Sequence, residues 1–135
     1  MNLPKKLGEQ GQKFDSAKPD LSLIPSSMLI QVGHVLTYGA NKYAAHNWRA
    51  GININRLIGA ALRHIVAFNE GENTDSESKL PHLAHAICEL AFALEQSLNP
   101  TRYARFDNRY IAPKKRRTRA AKTQQLIPTT SNQEK

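Results

Sequence analysis

In the first hundred residues, apolar positions recur at three- and four-residue steps in three stretches, and no pair of stretches alternates with the two-residue rhythm of paired strands. The first stretch follows Pro25 and Ser26: Met28, Leu29, Val32, Val35 and Leu36 make a helical stripe, and Gly39 is placed to end it. The second runs through RLIGAALRHIVAFNEG, with Asn53 or Asn55 available as a cap and Leu57, Ala61, His64, Ile65 and Phe68 on one buried face. The third starts near Leu80 or Pro81, since a proline in the first turn costs no hydrogen bond, and extends to about Ser97. Leu80, Leu83, Ala84, Ile87, Leu90, Ala91 and Leu94 share one sector and are expected to form its core face, leaving His82, His85 and Glu89 opposite. Three helices with polar connections and no internal repeat predict an all-α fold, a small helical bundle.

Length and charge refine that expectation. A chain of 135 residues holds one ordinary core rather than two, and three modest helices make a thin one, so a homo-oligomer, dimer or tetramer, is expected to complete the bundle. The net charge of +8 is unevenly spread: residues 1–100 carry nine Lys/Arg and nine Asp/Glu, residues 101–135 ten and two. The division suggested is an all-α domain over 8–100 and a basic, largely disordered tail over 101–135, which includes the run Lys114, Lys115, Arg116, Arg117 and Arg119. Such a tail offers weak contact with nucleic acid. No apolar run approaches a membrane span and the start lacks the apolar core of a signal peptide, so a cytoplasmic protein with no membrane partner is expected. The single cysteine, Cys88, excludes an intrachain disulfide and multi-thiolate zinc sites.

The chemistry concentrates between the second and third helices. Glu70, Glu72, Asp75 and Glu77 put four carboxylates into eight residues, a density that a hard divalent cation such as Mg²⁺ relieves. Spacing alone favours a plainer account, a solvated acidic loop with Asp75 and Glu77 near the positive end of the third helix. The flanks shift the balance: Arg63 and His64 precede the loop, and His82 and His85 follow it on one helix face with Glu89. Each has an ordinary alternative: His64 as a hydrogen-bonded core residue, His82 and His85 as exposed side chains, Arg63 as a surface ion pair with Glu70.

A second group, Lys42 and Tyr43 followed by Asn47, Trp48 and Arg49, combines cations for phosphate with aromatic faces for a base, although Trp48 taken alone reads better as a residue pinning its loop. A third stretch, Lys13 to Asp20, alternates in charge and is placed to lie across the site, with its role left open by the residues alone. There is no GxxxxGK[ST] loop, no GxGxxG, no nucleophilic Ser or Cys setting, and no adjacent His-Asp pair.

Read in order, KFDSAKPDLSLIP, YGANKYAAHNW, ALRHIVAFNEGENTDSES and LPHLAHAICELAFALE resemble the dATP/dGTP diphosphohydrolase N-terminal domain family of bacteriophages, over about residues 11–97. The resemblance implies a MazG-like all-α hydrolase that cuts a (d)NTP, a purine deoxynucleotide such as dGTP or dATP, between the α and β phosphates to give monophosphate and pyrophosphate, in the host cytoplasm. It further implies that Glu70, Glu72, Asp75 and Glu77 hold Mg²⁺ or Mn²⁺. Lys42, Arg63, His64, His82 and His85 would form the catalytic set, and Lys18, Lys42, Tyr43, Asn47, Trp48 and Arg63 would hold substrate. Two departures stand out: Lys79 occupies a position where a glycine is expected, and the paired ExxE and ExxD motifs of ordinary MazG-type enzymes are absent. The competing reading is a non-enzymatic nucleic-acid binder that acts through the tail.

Overall fold

A computed structural model describes residues 16–113. The run Lys114 to Arg119, the rest of the expected tail, and the residues before Ser16 lie outside the described residues. Among the described residues the fold is helical, without strands: α1 spans Ser26–Tyr43, α2 Ile54–Asn69, α3 His82–Leu98 and the short α4 Pro100–Tyr103. The all-α expectation holds, and no helix is long and apolar enough to cross a membrane.

α3 is the central element, packed against α2 and, less extensively, against α1. Small side chains on α3 permit both approaches. Ala84 and Cys88 meet Val35 of α1 in one apolar cluster, and Ala93 meets Ile54 and Leu57 of α2 in another. Phe92 bridges the two clusters. Burial pushes the Cys88 thiol up to about 11, so it serves as a small apolar side chain.

The expected core face of α3 is corrected by this packing. Of that face Ala84 is buried and Leu80 packs beside it, but Leu83, Ile87, Leu90 and Leu94 are 43, 37, 44 and 59% exposed, whereas His82, Ala86, Cys88, Ala93 and Gln96, outside the expected face, are buried. Periodicity identifies an apolar sector; it does not identify the surface that covers it. The stripe on α2 was legible at Leu57 and Ala61, although Ile65 and Phe68 remain 40% exposed near the helix end. On α1, Val35 is buried as expected, but Leu29 and Leu36 are exposed.

Two boundaries also differ. α1 does not stop at Gly39 but continues to Tyr43, because Tyr38 and Lys42, one turn apart, are both tied to Glu77 by hydrogen bonds of 2.9 and 2.6 Å. That tertiary hold outweighs the roughly 1 kcal/mol that an internal glycine costs a helix. Neither asparagine caps α2 with its side chain: Asn53 offers only its carbonyl, to Arg56 and Leu57, and the Asn55 amide group donates to the Asn108 carbonyl.

The chain beyond Pro100 does not leave the domain at once. Tyr103 is buried and its hydroxyl donates to the Arg49 carbonyl, and the Asn55 amide donates to the Asn108 side chain. Gly51, at φ +94°, admits the Phe106 ring where any Cβ would collide with it. Two aromatic anchors therefore carry the packed chain past the expected boundary at residue 100.

Candidate functional site

The segment joining α2 to α3 is a closed turn rather than a loose acidic loop. Thr74 and Pro81 form an antiparallel bridge, the Asp75 amide donates to the Leu80 carbonyl at 2.9 Å, and the His82 amide donates to the Asn73 carbonyl at 3.1 Å. Lys79 takes a left-handed conformation, φ +62°, which explains why a glycine would be the natural occupant. Within this turn the Ser78 amide and hydroxyl donate to one Asp75 oxygen at 2.8 and 2.9 Å. Burial works against charge on Asp75, but the Ser78 hydrogen bonds and the nearby imidazoles prevail, and its carboxyl lies below its ordinary value.

Closing the turn sets three histidines around Asp75. His82 is buried where α3 begins, and its Nδ1 lies 2.8 Å from Nδ1 of His64 on α2, one donating and the other accepting. The remaining nitrogen of His82, Nε2, is buried without a hydrogen bond and has the Glu72 carboxylate 3.5 Å away. His85 lies over His64 with ring centroids 4.6 Å apart and planes 15° from parallel, and its Nε2 is 2.7 Å from the Ser78 hydroxyl. Burial lowers the pKa of both His64 and His85, favouring the neutral ring in each, with Asp75 acting against the shift.

Next to this cluster opens a cavity of about 730 Å³ between α1, α2 and α3. Its wall includes Lys42, Tyr43, Asn47 and Trp48 together with Arg63, His64, Asp75, Glu77 and His85. The two groups read separately from the sequence thus share one cavity. Glu77 accepts from Lys42 and Tyr38, which holds its carboxyl low and the Lys42 ammonium high. Trp48 stacks on Phe92, centroids 5.3 Å apart, so one of its faces is already committed to the fold as the plainer reading has it; Tyr43 is 63% exposed.

The remaining expected residues fall elsewhere. Glu70 is exposed at the end of α2, and among the described residues Arg63 makes no ion pair with it. Glu72 lies outside the cavity wall, and Lys18 lines a separate depression with Asp20 and Leu21. His82 stands behind the wall, reaching the site through His64. Three residues given no role in the expected site also stand on the wall: Arg56, Tyr38 and Glu89, the last noted in the sequence only as sharing the His82 and His85 face. Burial raises the Glu89 carboxyl, with Arg63 and Arg56 acting against the shift. Its spacing of seven and four residues from His82 and His85 was the available signal.

The four acidic residues do not converge as a set. Among the described residues, the ligand atoms brought within 4.8 Å of one another belong to His64, Asp75 and His82. The side chains present therefore fit a cation held by mixed nitrogen and oxygen donors, with Asp75 the one expected acid that takes part.

The family model described as "dATP/dGTP diphosphohydrolase, N-terminal" matches residues 8–109 of the chain. A protein named "dATP/dGTP diphosphohydrolase" from Salmonella phage PMBT28 is 40% identical over 82 residues, which cover 61% of this chain and 28% of that relative. The match thus spans little more than a quarter of the relative's length. No solved structure matches. With a match over well more than half of the sequence, carried through the turn, its histidines and the cavity wall, the chain belongs to the dATP/dGTP diphosphohydrolase N-terminal family.

Proposed function

We propose that this chain hydrolyses a purine deoxynucleoside triphosphate, dGTP or dATP, between the α and β phosphates, giving the monophosphate and pyrophosphate with the help of a divalent cation. The observation that carries this reading is the cavity itself. At about 730 Å³ it suits a nucleotide, and its wall brings Lys42, Arg56 and Arg63 together with the imidazoles of His64 and His85 and the Asp75 carboxylate. The name of the phage relative supports the substrate class.

On this reading the guanidinium groups of Arg56 and Arg63 offset charge on the departing pyrophosphate, and Lys42, braced by Glu77, fixes the far end of the triphosphate. Tyr43 supplies the ring face left for the base. His85, whose Nε2 is engaged by Ser78, takes a proton at Nδ1 from the attacking water. A divalent cation bound with the nucleotide would supply charge neutralisation at the phosphates, and Asp75 is the expected acid placed to help hold it.

The exposed stripe Leu83, Ile87, Leu90 and Leu94 supports a homo-oligomer in which a second copy covers α3. For the activity, the purified chain incubated with each (d)NTP and Mg²⁺, Mn²⁺ or Co²⁺ should release monophosphate and pyrophosphate. Release of diphosphate and phosphate, or no turnover with any nucleotide, would refute the reading.

A further inference from the structure

We infer that His64, Asp75 and His82 form a resident site for a first-row transition-metal dication of the Co²⁺, Ni²⁺ or Zn²⁺ type, filled in the absence of nucleotide and selective against Mg²⁺. The inference deepens the proposed function, and rests on it only for the purpose that the ion serves.

The geometry is that of converging donors. The two Nδ1 atoms are 2.8 Å apart, and ligand atoms of all three residues lie within 4.8 Å of one another. Adjacent nitrogens bound to one ion at about 2.1 Å each would stand about 3.0 Å apart at an octahedral angle and about 3.4 Å apart at a tetrahedral one, so the pair need open by only a few tenths of an ångström. The three residues come from α2, the connecting turn and the start of α3, so the fold itself creates the convergence.

The supporting contacts also suit a metal. A ligating histidine commonly presents its second nitrogen to a carboxylate, and the unbonded Nε2 of His82 faces Glu72 at 3.5 Å. Asp75 is pinned through Oδ2 by Ser78, which leaves Oδ1 for the ion, and Ser78 is in turn positioned against His85. This arrangement gives Glu72 an outer role in place of the direct one expected from the acidic cluster.

Donor type decides which ion. Mg²⁺ is a hard cation that favours oxygen ligands and retains water, whereas two of the three protein donors here are imidazoles. Imidazole suits borderline ions, with affinity rising from Mn²⁺ towards Ni²⁺ and remaining high for Zn²⁺.

The test uses the tag-free full chain, stripped with a chelator and titrated calorimetrically with Co²⁺, Zn²⁺ and Mg²⁺ without nucleotide. The visible absorption of Co²⁺ provides a second readout. The expected result is one Co²⁺ or Zn²⁺ per chain, bound at least about 100-fold more tightly than Mg²⁺. Asp75→Asn and His64→Gln should each weaken Co²⁺ binding by about 100-fold and alter its spectrum, and Glu72→Gln should weaken it by about 10-fold. Asp75→Asn is nearly isosteric, so it serves as the deciding variant should His64→Gln fail to keep the helical circular dichroism. No transition-metal binding, equally tight Mg²⁺, or unchanged Co²⁺ binding by folded Asp75→Asn would each overturn the site. A chain that binds Co²⁺ but hydrolyses no nucleotide keeps this site and loses the proposed activity; one that hydrolyses with Mg²⁺ yet binds no transition metal does the reverse.

Discussion

The two sides of α3 carry opposite kinds of residue and meet opposite surroundings. The inward side holds His82, Gln96 and small residues, and it is buried; the outward side holds Leu83, Ile87, Leu90 and Leu94, and it is exposed. Hydrophobic burial alone would place them the other way round, since covering each leucine is worth about 2 kcal/mol. The inward arrangement survives because alanines let the helices approach closely and the polar side chains find partners: His64 for His82, and the Ile52 amide for Gln96. On the present proposal one side is organised around chemistry and the other around a second copy of the chain.

The largest expected effect falls on the inward side. Asp75→Asn removes a charge from the turn while keeping its shape, and turnover of the preferred dNTP should fall by about 10²- to 10³-fold or more with the helical circular dichroism unchanged. Turnover retained within a few-fold would separate the polar side from catalysis. The double variant Ile87→Glu with Leu90→Glu tests the other side. Light scattering should shift from an oligomer to a monomer, and the melting temperature should stop depending on protein concentration. A wild-type chain that is monomeric at tens of micromolar would leave the stripe without its proposed purpose.

A third change exchanges the character of one inward residue. Gln96→Leu adds apolar surface where hydrophobicity alone would favour it, yet it removes the acceptor of the half-buried Ile52 amide. Chemical denaturation should show a loss of about 1–3 kcal/mol, since the unsatisfied donor outweighs the transfer gain. A gain in stability would mean that packing, not hydrogen bonding, governs that side.

The same contrast separates what was legible in the sequence from what was not. Helix periods at Leu57, Ala61 and Val35 were legible because a 3.6-residue repeat is a local property. The gathering of Lys42 and Tyr43 with Arg63 and Asp75 was foreshadowed only as two separate groups, since the packing of α1 on α3 that joins them is not local. Four acids in a row suggested one ligand set, but each side chain points where its own backbone sends it. Glu77 goes to Lys42, Glu72 to His82, and Asp75 to Ser78. The pairing of buried His82 with His64 was hidden because His82 stood opposite an apolar stripe whose leucines were assigned to the wrong surface.

Lys79 offers a smaller and cleaner change. It holds a left-handed conformation in the turn that positions Asp75, at a cost of about 1–2 kcal/mol for a side chain with a Cβ. Lys79→Gly relieves that cost but gives back part of it as unfolded-state entropy, so a net gain of about 0.5–1 kcal/mol is expected from denaturant titration. A loss would show that the lysine side chain contributes more to the turn than its backbone costs.

The subtlest expectation concerns Glu89, the inward carboxylate that burial raises above its ordinary 4.5 while Arg63 and Arg56 resist. With the folded pKa above the unfolded one, ionising this group at neutral pH costs the folded state more than the unfolded. That cost is full above the folded pKa, shrinks as falling pH lets the folded carboxyl take a proton first, and disappears below the unfolded value. Glu89→Gln removes the charge and keeps the shape, so in chelator-treated protein it should raise the melting temperature at pH 7 and make no difference near pH 4. A gap of equal size at both values would mean that the carboxylate matters for its shape and hydrogen bonds. A variant less stable at pH 7 would show instead that Arg56 and Arg63 hold the charge more strongly than burial opposes it.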